Sequence, residues 1–118
     1  MDYTLLFYLS PGEFTARTDP ENKKAFWGSF MPYMKALRDA GAVVSGAGLQ
    51  PPELATTVRM QDGHRMVQDG PYADTKEQLG GFFIINVPDL DTALAWAARY
   101  PASPGGLVEV RPSLKAEG

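Results

Sequence analysis

The run Tyr3 to Leu9, YTLLFYL, is almost wholly aliphatic or aromatic and stops at Ser10-Pro11-Gly12. Its length and stop signal predict a buried strand. Polar residues follow until Phe26, Phe30, Met34 and Leu37 recur at helical spacing, with Lys23, Lys24, Lys35 and Arg38 off that stripe. Thr18 or Asp19 is the expected cap of this helix and Pro20 its first residue, with Gly41 as the stop after Ala40. Pro32 cannot bond back to Gly28, so a kink near Gly28-Ser29 or a helix in two pieces is expected.

Ala42 to Leu49 predicts a strand fraying through its glycines, and Gln50-Pro51-Pro52 an irregular connection. Thr56 to Met60 and Arg65 to Val67 flank Asp62-Gly63, a hairpin pattern with His64 at its solvated tip. Phe82 to Val87 is a strand with apolar groups on both faces. Asp89 caps a second helix with Leu90, Ala93, Leu94 and Ala97 as its buried stripe, ending before Pro101. Leu107 to Arg111 forms the last strand, so that residues 1–112 make one domain and 113–118 a flexible tail.

This order predicts an α+β fold with two helices on one face of an antiparallel sheet. Two helices leave the other face of LLFYL and FFIINV in water. A second copy of the chain, related by a two-fold axis, is the expected cover, making the protein a homodimer.

Composition removes several functions. The 11 basic and 14 acidic side chains give a net charge of -3 without a basic cluster, which argues against nucleic-acid binding. Cysteine is absent, so thiolate chemistry is excluded. A single histidine and no ligand spacing among the carboxylates predict no metal site, and the glycine pairs lack the setting of a cofactor loop. No apolar run reaches membrane-spanning length, and the N-terminus lacks the basic start of a signal peptide. A cytoplasmic protein without membrane contact is expected.

The segment Asp69-Gly70-Pro71-Tyr72-Ala73-Asp74-Thr75-Lys76-Glu77-Gln78-Leu79-Gly80-Gly81-Phe82 resembles the signature of the DGPF domain, a branch of the YCII-related proteins. Gly48-Leu49-Gln50-Pro51-Pro52, Val87-Pro88-Asp89-Leu90-Asp91 and Val108-Glu109-Val110-Arg111-Pro112 resemble further segments in the same order. The resemblance implies a ferredoxin-like fold of the dimeric α+β barrel type and little about activity. It also implies a His-Asp pair in the better-described branch, but Asp19 to Ala40 contains no histidine here.

Candidate chemistry centres on Asp69 as an acid or base, with Tyr72, expected to be half-buried, as hydrogen-bond donor to developing charge. The competing reading has Asp69 fixing a turn around Gly70 and Pro71. Asp74 with Glu77, and Thr75 with Gln78, have capping-box spacing and predict a single helical turn. If Glu77 instead turns inward, it can form a carboxylate pair with Asp69. Tyr3, Tyr8, Trp27, Phe82 and Phe83, with Glu77, are the candidate lining of a pocket for a small organic ligand between sheet and long helix, with plain core packing as the competing reading. Two functions follow: a homodimeric small-ligand-binding or otherwise non-catalytic module, or a cofactor-free isomerase or lyase using Asp69.

Overall fold

The computed structural model describes residues 1–101 and 105–115. The first strand, β1 (Asp2–Leu9), alternates strictly, with Tyr3, Leu5, Phe7 and Leu9 buried and the residues between them half-buried. Period two places the buried set on one face, which meets every helix of the core. Leu9 leads directly into α1 (Pro11–Ala16), a helix that the turn-like Ser10-Pro11-Gly12 conceals. Ser10 and Glu13 close a reciprocal capping box, and Pro11 occupies the first turn, where its missing N–H costs nothing.

The expected helix from Thr18 or Asp19 therefore begins late, as α2 (Lys23–Asp39). Asp19 does not cap it by side chain, because its carboxylate accepts from Asn22 instead. Nor does Pro32 divide it: the helix runs unbroken, and Gly28, whose carbonyl Pro32 cannot bond, is exposed to water. Tyr33 and Leu37 are its buried residues, and Gly41 ends it at φ +70°.

Strand β2 (Val43–Gly48) leads through a single 3-10 turn, Pro52–Leu54, into β3 (Thr56–Gln61) and β4 (His64–Asp69). Asp62 and Gly63 both take positive φ, 51° and 78°, the conformation of a two-residue hairpin turn, so the expected tip forms. Strand β5 (Gln78–Asn86) then enters the centre of the sheet. Asp89 caps α3 (Leu90–Ala98) by accepting from the Thr92 N–H at 2.8 Å. The buried stripe of α3 is rotated from the expected one: Leu90 and Leu94 are each 46% exposed, while Ala93, Trp96 and Ala97 meet the core. Strand β6 (Leu107–Pro112) closes the fold, and Ser113 is tied back to Thr4 and Asp2. That anchor shortens the expected tail, of which residues 116–118 lie outside those described.

The four-stranded sheet has the order β2-β5-β1-β6, antiparallel throughout. Each helical crossover joins two parallel strands with a third between them, the split βαβ arrangement of ferredoxin-like folds. Among the described residues three α-helices, rather than the two expected, cover one face. The other carries Leu6, Tyr8, Leu79, Phe82 and Ile84, all half-buried within the single chain.

Strands β3 and β4 form a separate two-stranded sheet that projects as an arm. It accounts for a flat outline of 48 × 47 × 19 Å and a radius of gyration of 16.1 Å, against about 13 Å for a compact chain of this length. Val58, Met60 and Val67 share one face of the arm and are all more than half exposed.

Candidate ligand cavity

Register builds the site. Gly46 of β2 lies opposite Phe83 of β5, and Gly48 opposite Gly81. All four belong to the face covered by helices, so two neighbouring strands present glycines where side chains would normally fill the space. Backbones approach closely there: a Cβ on Gly81 would stand 2.9 Å from the Ala47 carbonyl. Above this floor α2 suspends Phe26, Trp27 and Phe30, with Phe7 and Tyr100 at the inner wall. Phe7 meets Phe83 edge-on at 5.5 Å between ring centroids and tilts against Tyr100 at 4.9 Å. Trp27 stands edge-on to Phe30 at 5.9 Å. What remains is a cavity of about 280 Å³ opening to solvent.

Among the described residues, two charged side chains line it, Arg17 and Arg38, and no carboxylate does. Arg17 lies just past α1, its guanidinium 4.8 Å above the Phe14 ring and 3.5 Å from the Gly80 carbonyl. Its own carbonyl accepts from the Trp27 indole N–H at 2.9 Å, joining the arginine to the aromatic wall. Burial lowers the Arg17 pKa, with the nearby Tyr100 acting in the opposite direction. Burial also raises the Tyr100 pKa, helped by the Glu13 carboxylate and Tyr33, so Tyr100 stays a neutral phenol and potential donor at physiological pH. Tyr33 behind it donates to the Trp96 carbonyl at 2.9 Å, and burial pushes its pKa up to about 12.

Of the candidates named from the sequence, Trp27, Phe82 and Phe83 line this cavity, while Tyr3 is buried in the core. Tyr8 points from the other face of β1, and half-buried Glu77 precedes β5; neither borders the cavity. Asp69 ends β4 opposite Thr56, exposed, and its carboxylate has no hydrogen bond or ion pair among the described residues. The turn beside it is held by backbone: the Gly70 N–H donates to the Ala55 carbonyl at 2.7 Å, and Gly70 takes φ +94°. Tyr72, expected half-buried, is 77% exposed, with Arg59 5.7 Å from its ring centroid. The single helical turn expected after Asp74 is absent. The Thr75 hydroxyl donates to the Glu77 carbonyl and the Gln78 amide to the Ala73 and Thr75 carbonyls, so these side chains satisfy acceptors and stitch an irregular turn.

Sequence reasoning missed Arg17, Arg38, Tyr100 and the glycine floor. The available signal was two glycine-rich strand segments, Gly46-Ala47-Gly48 and Gly80-Gly81, which gain meaning once they are neighbours. Among the described residues, no group of three or more acidic or histidine side chains is placed to hold a metal ion. No described helix is long and apolar enough to cross a membrane.

With this geometry in view, comparison with known proteins gives a family. The model of the YCII-related domain matches residues 1–115. The chain belongs to the YCII-related family. This YCII-related chain is 45% identical over 76 residues to an uncharacterised Rhizobium meliloti (strain 1021) protein, R00369. The match covers 63% of the chain and 61% of that relative. In structure it is similar to 5-chloro-2-hydroxyhydroquinone dehydrochlorinase (TftG) from Burkholderia phenoliruptrix AC1100, in complex with 2,5-dihydroxybenzoquinone. Identity there is 17%, coverage 92% of this chain and 91% of the other, and the TM-score 0.49.

Proposed function

We propose that this YCII-related protein, of the DGPF branch by its Asp69-Gly70-Pro71-Tyr72 segment, is a homodimeric module that binds a small flat organic compound between α2 and the β2–β5 floor. The observation that carries the reading is the pairing of an aromatic wall with a glycine floor. Removing side chains from two adjacent strands leaves open a slot whose walls favour stacking. At about 280 Å³ the slot lies at or below the lower end of the range for drug-sized ligands, which suits a compound of one or two rings.

A thermal-shift panel of one- and two-ring aromatic compounds tests this. Members should raise the melting temperature of the wild type and leave Gly48→Leu unmoved, because nothing within 4 Å resists a side chain at residue 48 and leucine would occupy the slot. A panel that stabilises both proteins equally would remove the cavity from the account.

Homodimerisation rests on the outer sheet face, where Leu6, Phe82 and Ile84 lie half-buried, and on the projecting arm. A two-stranded ribbon with Val58, Met60 and Val67 exposed is marginal in isolation and gains support from a second copy. Sedimentation should give twice the monomer mass at micromolar concentration, and Ile84→Arg should return a folded monomer. A wild-type monomer would remove the dimer.

Proton transfer by Asp69 with Tyr72 is kept as a second reading for one reason: Asp69 shares the arm face with Val58, Met60 and Val67, so whatever covers that face desolvates the carboxylate. This reading requires a turnover that Asp69→Asn abolishes while the fold persists.

A further inference from the structure

Resting on the cavity reading above, we infer that the ligand is a flat aromatic carboxylate, its ring between Trp27, Phe30 and Phe83 and its anionic end on the Arg17 guanidinium, with the Tyr100 hydroxyl as a second donor. Every formal charge that the described residues bring to the lining is positive. Arg17 is half-buried, yet among the described residues no carboxylate forms an ion pair with it: the ion pairs there are Lys35 with Asp39 and Arg111 with Glu109. A cation brought partly out of water without a counter-ion is costly, and a carboxylate entering the slot supplies the missing partner in a geometry that a guanidinium can bind bidentately.

The rest of the arginine is already held. Its guanidinium lies over Phe14 and its carbonyl accepts a hydrogen bond from the Trp27 indole N–H, so the cation and the stacking wall are positioned together. Tyr100 is only 8% exposed, and its hydroxyl has no hydrogen-bond partner among the described residues. Since no buried side-chain polar atom is left unsatisfied, that hydroxyl reaches accessible space, and Tyr100 borders the cavity. Arg38, exposed at the rim of α2, adds attraction at longer range without the same desolvation.

The test compares three probes by isothermal titration calorimetry: 1-naphthoate, its neutral amide 1-naphthamide, and cyclohexanecarboxylate, which keeps the charge and loses the flat ring. Wild type should bind naphthoate at least tenfold more tightly than either of the others. Arg17→Met, checked for folding by circular dichroism, should bring naphthoate to the affinity of the amide and leave the amide unchanged. Arg17→Lys should restore part of the difference. Equal affinities of wild type for naphthoate and naphthamide would overturn the anion assignment while leaving the aromatic slot standing, and this comparison needs no variant. Binding of naphthoate that Gly48→Leu does not weaken, or no binding of any probe to the wild type, would overturn the inference; in the first case the cavity reading falls with it.

Discussion

Gly46 and Gly48 lie on the same strand and the same face, two residues apart, and should respond oppositely to a single added methyl group. Neither has positive φ, so alanine fits both backbones. At Gly46 the new Cβ would overlap the Phe83 ring and lie 2.7 Å from the Phe82 carbonyl oxygen, a backbone atom that cannot swing aside. Overpacking of this kind costs about 1–3 kcal/mol. Alanine returns about 0.4–1 kcal/mol by restricting the unfolded chain. Gly46→Ala should therefore lose up to roughly 2.6 kcal/mol, a fall in Tm of up to about 10 °C. At Gly48 nothing lies within 4 Å of the new Cβ, so only the gain remains and Tm should rise by about 2–4 °C. Thermal unfolding followed by circular dichroism, with urea denaturation to obtain free energies, separates the two. If Gly48→Ala falls as far as Gly46→Ala, the slot is filled in solution and the floor described above is wrong; a Gly46→Ala as stabilising as Gly48→Ala would show that β2 and β5 are not in the register given.

The remaining predictions concern stability and pH. The Tyr33 pKa is raised to about 12 from 10.0 in the folded state. The native state thus holds that proton more tightly, and stability should be complete below pH 10 and decline as pH rises toward 12. Tyr33→Phe should remove the Tyr33 share of that decline, at a cost of about 0.5–1.5 kcal/mol for the lost bond to the Trp96 carbonyl, read from denaturation midpoints at about pH 8 and 11. Hydrogen bonds from the Thr92 side chain and backbone lower the Asp89 pKa, so its contribution is present above about pH 4 and disappears as pH falls through the folded value. Asp89→Asn should keep the cap and flatten that acid limb in circular dichroism. Gly28 is exposed within α2 with nothing within 4 Å of an added Cβ, and Gly28→Ala should gain about 0.5–1 kcal/mol in urea denaturation.

Features set by a few adjacent residues are legible in the amino-acid sequence. Asp62-Gly63 makes its turn, Asp89 caps α3 and Gly41 ends α2, because each depends on neighbours in the chain. The helix α1 is hidden for the same local reason: Ser10-Pro11-Gly12 spells a turn until Glu13 completes the capping box. The stripe of α3 is misread because Leu90, Ala93, Leu94 and Ala97 fit a helical face as well as Ala93, Trp96 and Ala97 do, and only packing against β1 and β6 chooses between them. The cavity is least legible. Its floor exists through the pairing of Gly48 with Gly81, and its charge through Arg17, which follows a helix that the sequence pattern conceals. The conspicuous DGPY motif points instead to an arm, where Asp69 and Tyr72 are exposed.

The position of β1 has a consequence for how the chain comes to be folded. Like β5 it is flanked on both sides, yet its neighbours arrive late: Asp2 meets Asn86 across a separation of 84 residues, and Thr4 meets Ser113 across 109. Neither crossover can dock until its returning strand exists, so high contact order places folding toward the slow, millisecond-to-second end of the scale for small domains. During synthesis YTLLFYL emerges well before both of its partner strands and waits with both edges uncovered. An apolar strand is thereby left exposed for as long as its partners take to appear, and a chaperone that shields nascent apolar strands would act on β1 before β5 and β6 exist.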